Sequence, residues 1–379
     1  MRSLKFLYLL AFVVFISACM QENSESYTDK IRVGVFNGEG ASVVCVIETM
    51  EALKIDEKIS PVEISPKDIM VGKLNELDAL IFPGGSGSKE FNSLGQQATE
   101  LVHKFTHDDG KGLIGICAGG FLLSTTPGYP SLEIFPESDI RDGYYDRGRG
   151  LIAFHLNEQG KEIFPELENL DTLYVQYYDG PIFKFPESSS SNILGSFYSD
   201  VASHPGYPHG ITPGKLVFAT SEYGKGKVFI SVGHPEATAG MRWMVPRMAR
   251  WVTGNELVPY PEKLVRPEIN KKEILYTDDL VKFEKKNFWN LFHEEDSMVI
   301  NSLKNLYTIR SRPSIRWSIG LLRHQSWEVR LHAAEYLLET EYTNAIPDME
   351  AVVQNEENQE HRETLRKILF SLKEIVHHI

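Results

Sequence analysis

Gly112-Leu113-Ile114-Gly115-Ile116-Cys117-Ala118-Gly119-Gly120-Phe121 is the stretch on which the fold turns. A short apolar run ends in a cysteine set among glycines, and Phe121-Leu122-Leu123 then opens a helical pattern. A nucleophile at a strand-to-helix turn is held in a strained backbone conformation, and side chains larger than hydrogen beside it would clash. The thiol of Cys117 is then expected above the carboxyl edge of a sheet, with the next helix's N-terminus favouring its thiolate. The plainer alternative is a cysteine packed in a tight βα turn.

Working outward, residues 31–36, 77–82 and 112–116 are apolar strand candidates, separated by helical spacing over 42–53 and 96–107. Continuous apolar strands alternating with helices predict an α/β fold of the flavodoxin-like kind: a parallel sheet with helices on both faces. Further strands are expected at 151–154, 172–177, 193–198, 215–220 and 227–232, and a closing helix at 239–251 with a kink at Pro246.

Two more motifs follow strand ends. Gly233-His234-Pro235-Glu236 comes directly after 227–232. A thiol needs a general base, and the base needs a carboxylate to orient it; His234 and Glu236 have the types and spacing for those roles. Phe82-Pro83-Gly84-Gly85-Ser86-Gly87 offers exposed amides, so Gly84, Gly85 and Ala118 are the candidate oxyanion hole. A loop histidine, a solvated glutamate and a flexible turn are the plain alternatives. His204 and His209 lack companion ligands, and neither a metal nor a cofactor is expected. Cys45 falls in a helical apolar pattern and reads as a packed small residue.

The rest of the chain sets the context. Its 379 residues suggest about two domains, and 42% hydrophobic residues suit packed cores. The net charge of -13 disfavours nucleic acid as a partner. Three cysteines exclude a disulfide scaffold. Arg2 and Lys5 precede an apolar run over 6–16 that ends in Ile16-Ser17-Ala18-Cys19. This resembles a bacterial lipobox: residues 1–19 read as a leader, Cys19 as the lipidated residue and 20–29 as a tether. An unlipidated leader or an anchor helix is the alternative. A lipid-anchored protein of the bacterial envelope is the expectation, and Met20, where aspartate would favour the inner membrane, points to the outer one. Residues 256–270, which hold three prolines, read as a linker from the α/β domain of 30–255 to an all-α region over 271–379. Trp327 to Leu338 resembles a HEAT-type repeat, and Arg330 is echoed by Arg362 after 32 residues; an ordinary helical bundle is the alternative. A protein partner is expected on this tail.

Cys117, His234 and Glu236, with the Pro-Gly-Gly loop upstream, resemble the triad and oxyanion loop of class I glutamine amidotransferases. The resemblance is stronger to the domain at the N-terminus of biotin–protein ligases, through residues 115–119, 177–183 and 224–228, and it covers roughly residues 30–255. It implies hydrolysis of a small amide through a cysteinyl intermediate. Glutamine-using members carry a Leu-Gly-x-Gln type sequence after the cysteine; here Ala118-Gly119-Gly120-Phe121 stands in its place, so the amide is not specified. Related cysteine hydrolases of the intracellular-protease type place histidine after the cysteine, and Ala118 departs from that pattern. The rival expectation is a non-catalytic envelope binding or scaffold protein that retains the fold.

Overall fold

Apolar runs that end in glycine or proline become the strands of one sheet. The structure is a computed structural model and describes residues 30–140, 148–184, 189–202 and 209–376. Cys19, the leader, the tether and His204 lie outside the described residues. In chain order the strands are β1 (Ile31–Phe36), β2 (Ile59–Ile64), β3 (Ala79–Phe82), β4 (Gly112–Ile116), β5 (Ser138–Asp139) and β6 (Arg149–Leu156). They continue as β7 (Leu173–Tyr178), β8 (Phe183–Lys184), β9 (Asn192–Phe197), β10 (Leu216–Tyr223), β11 (Gly226–Ser231) and β12 (Ile274–Leu275). The large sheet has ten strands in the order β12-β6-β9-β10-β11-β4-β3-β1-β2, with β7 on β6; β5 and β8 form a separate pair.

The parallel arrangement expected from the sequence covers one half, β2-β1-β3-β4-β11. From β10 onward the pairing is antiparallel. The reason is visible where the halves meet. Only Gly224-Lys225 separate β10 from β11, and two residues close a hairpin but cannot make the crossover that parallel strands need. β2 was not expected, because Pro61 interrupts it; it lies at the sheet edge, where a missing N–H is tolerated.

The helices of this part are α1 (Val43–Leu53), α2 (Pro66–Met70), α3 (Gly87–His107), α4 (Ala118–Leu123), α5 (Glu158–Ile163) and α6 (Met244–Val252). The helix expected at 96–107 is the second part of α3, which breaks at Gly95 (φ 66°, ψ 172°). The kink expected at Pro246 is not formed. α6 starts only at Met244, so Pro246 sits in the first turn, where its lost N–H has no intrahelical partner in any case.

The C-terminal region holds α7 (Asp278–Asn290), α8 (Asp296–Thr308), α9 (Ser318–Leu321), α10 (Trp327–Glu339), α11 (Ile346–Asn355) and α12 (Gln359–Lys373). Arg330 donates to the carbonyls of His324 and Gln325, six and five residues back. Arg362 donates to those of Glu356 and Glu357, at the same two offsets. The 32-residue echo is therefore one device used twice: an arginine that satisfies the carbonyls of the turn before its own helix. Residues 256–270 pack on the sheet domain, with Tyr260 buried and its hydroxyl 3.2 Å from Asp56. Beyond them β12 pairs with β6. No helix among the described residues is long and apolar enough to cross a membrane.

Candidate active site

Cys117 stands at the end of β4, between two close approaches of backbone. A Cβ on Gly115 would come within 2.7 Å of the Gly119 carbonyl oxygen, and one on Gly119 within 2.0 Å of that of Phe82. With hydrogens there, the chain turns sharply and Cys117 takes φ 51°, ψ −106°, a region disfavoured for any residue with a Cβ. Its amide donates to Ser231 on β11 at 2.8 Å, and its Sγ to the carbonyl of Tyr178 at 3.4 Å.

His234 is placed by the neighbouring strands. It follows β11, and its amide donates to the Gln176 carbonyl of β7 at 2.7 Å. Its Nδ1 lies 2.6 Å from Glu236 Oε1, and both side chains are almost wholly buried. The other carboxylate oxygen of Glu236 is buried without a hydrogen-bond partner among the described residues.

Cys117 and His234 line one cavity of about 300 Å³, together with Ser42, Gly85 and Tyr178. Gly84 borders it: an added Cβ would lie 2.7 Å from His234 Cε1 and 2.8 Å from Cys45 Sγ. The amides of Gly84, Gly85 and Ala118 donate to no backbone carbonyl among the described residues.

The sequence reading missed two residues here. Cys45, on α1, is buried as expected, yet it faces the cavity. Its Sγ, a ring nitrogen of His234 and a carboxylate oxygen of Glu236 all lie within 4.8 Å of one another, and Cys117 is outside that cluster. Arg312 comes from the segment between α8 and α9. It pairs with Glu48 of α1, donates to Cys45 Sγ at 3.3 Å and stands 3.7 Å from Glu236. Burial works against the Arg312 charge; Glu48, Cys45 and Glu236 overcome it and hold its pKa well above the ordinary value. Three donors so placed are of metal-ligand type, but the guanidinium already supplies the positive charge beside two of them.

Burial, first of all, pushes the Cys117 thiol far above its ordinary pKa, and Cys45 and Glu236 add to this while Arg312 opposes it. The expected stabilisation of a thiolate by the following helix is thus outweighed: α4 is six residues long, and Cys117 is buried. Burial favours the protonated form of Cys117. The arrangement therefore suits a thiol that gives up its proton as it attacks, to a histidine whose other nitrogen is held by a buried carboxylate.

Residues 31–131 match the family described as the N-terminal domain of biotin–protein ligase. The match takes in β1 to β4, the Pro-Gly-Gly loop and Cys117, and it stops well before His234. Among solved structures the chain is similar to a cytoplasmic protein of Salmonella typhimurium: 11% identity, 59% of this chain and 97% of that one covered, TM-score 0.39. It is similar to the glutaminase domain of Trypanosoma brucei CTPS with bound acivicin: 9% identity, 62% and 97% covered, TM-score 0.41. A ThuA-like protein of Bacteroides uniformis is also similar: 11% identity, 61% and 94% covered, TM-score 0.41. A search of curated proteins finds no match.

Proposed function

We propose that this chain is an amidotransferase-like cysteine hydrolase acting on a small amide. The observation that carries the reading is the cavity itself: a cysteine held in a strained strand-to-helix turn lines the same space as His234, whose Nδ1 is held by the buried Glu236. In the proposed reaction the Cys117 sulfur attacks the amide carbon while His234 takes the thiol proton. Glu236 steadies the imidazolium at Nδ1, and the amides of Gly84, Gly85 and Ala118 receive the negative charge on the carbonyl oxygen. His234 then gives its proton to the leaving amine, and water releases the acyl group from Cys117. The burial that raises the Cys117 pKa favours this concerted route over a preformed thiolate.

Anchoring to a bacterial membrane through Cys19 belongs to the same proposal and rests on the run from Arg2 to Cys19. A HEAT-like reading of the tail, with a protein partner on its surface, is supported by the matching contacts of Arg330 and Arg362. The burial of both cysteines supports a second reading, a binding protein that keeps the site without turnover. Ammonia release from a panel of primary carboxamides separates the two. Hydrolysis is expected from the full chain and not from Cys117→Ala; equal release by both proteins removes the proposal.

A further inference from the structure

Cys45 is a thiol for which the reaction above has no use, yet it sits nearer the centre of the site than its place in a helical pattern implies. It is the third residue of α1 and lines the cavity, and a Cβ on Gly84 would crowd both its sulfur and the His234 ring. The cluster of its Sγ with His234 and Glu236 within 4.8 Å gives it a base, and that base a carboxylate. The N–H of Arg312 pointing at its sulfur from 3.3 Å gives it a positive partner that a packed small residue would not need.

We propose that Cys45 is a second reactive thiol of this site, coupled to the same His234–Glu236 pair, with Arg312 placed to meet the charge its sulfur gains as the proton leaves. This rests on the reading of His234 and Glu236 as the base pair of the site. Burial raises the Cys45 pKa, Arg312 is the leading influence that lowers it, and Glu236 and Glu48 raise it further. The ligand class is a small carbon electrophile that fits a cavity of about 300 Å³. With iodoacetamide as the probe, the Cys45 proton passes to His234, the sulfur forms a bond to the methylene carbon and the carbon–iodine bond breaks. Iodide leaves with the bonding pair, and the imidazolium returns its proton to water.

The test is alkylation of the folded full-length chain by iodoacetamide at pH 7.5, with the site of each adduct located by peptide mass. In Cys117→Ser, Cys45 is expected to react about a hundred-fold faster or more than in Cys117→Ser/His234→Asn, the lower end of what a positioned base contributes. Cys117→Ser/Arg312→Lys, which keeps the buried charge, is expected to fall between them. Thermal unfolding confirms that each variant is folded. The proposal is overturned if Cys45 labels only after denaturation, or at one rate in all three variants. Cys45→Ser, with and without His234→Asn, keeps the two readings apart. If Cys117 depends on His234 and Cys45 does not, this inference alone falls; if neither thiol depends on it, the base-pair reading falls as well.

Discussion

Replacing Arg312 by methionine tests whether the C-terminal region completes the site or merely lies beside it. The guanidinium is the only cation the structure sets against both Glu48 and Glu236 among the described residues, and both carboxylates are buried. Its Nε lies 3.1 Å from Glu48 Oε2, and its Nη2 lies 3.7 Å from Glu236 Oε1. At an effective dielectric of about 20, unit charges at those separations attract by roughly 5 and 4 kcal/mol before desolvation is counted. Much of that gross attraction offsets the cost of burying the ions, but Arg312→Met leaves the carboxylates in place and uncompensated. The expected loss is about 3–5 kcal/mol of unfolding free energy, the usual cost of removing one partner of a buried pair. Urea unfolding followed by far-ultraviolet circular dichroism measures it, with an unchanged m-value showing that the native state is the same. Adding Glu48→Gln to Arg312→Met should restore about 1 kcal/mol or more, because one orphaned charge is then gone. A loss below about 1 kcal/mol, the scale of an exposed ion pair, would refute the argument.

Two further outcomes follow from the sheet domain. Glu90 is buried with neither carboxylate oxygen hydrogen-bonded among the described residues, and burial pushes its pKa up from 4.5 to about 8. The folded chain then keeps a proton that the unfolded chain releases, so stability falls as pH rises between about 5 and 8, by at most about 1.4 kcal/mol per unit. Glu90→Gln should remove that slope, so that its advantage over the native chain grows from pH 5 to pH 8; an equal effect at both pH values contradicts this. Gly119→Ala sets a Cβ 2.0 Å from a backbone oxygen, which no rotamer change relieves. It should cost about 3 kcal/mol or prevent folding, and an unchanged melting temperature would show that the elbow is not as tight as described.

What was legible in the sequence was local. Cys117 and His234 each come at the end of an apolar strand, and with Glu236 two residues on, that placement is enough to single the three out as candidates. The parallel half of the sheet showed through its continuous apolar strands. The antiparallel half looked the same strand by strand, because direction is set by connection length and not by residue type. Pro61 hid an edge strand, and Ile274–Leu275 is too short to show any period. Cys45 reads as core in the sequence because a helical stripe looks alike whether it faces a sheet or a cavity. Arg312 could not be found at all: its partner Glu48 is 264 residues away, and nothing about Arg312-Pro313 marks a residue that reaches a distant site.

In the proposed reaction Cys117 carries the acyl group, and that intermediate can be trapped. The chain is mixed with p-nitrophenyl acetate, quenched in acid within seconds, digested and mapped by mass. An acetyl group is expected on the peptide holding Cys117, absent in Cys117→Ala and formed about a hundred-fold more slowly in His234→Asn, within the range of general-base catalysis. Acetylation that avoids Cys117, or that proceeds at the same rate without His234, would contradict it.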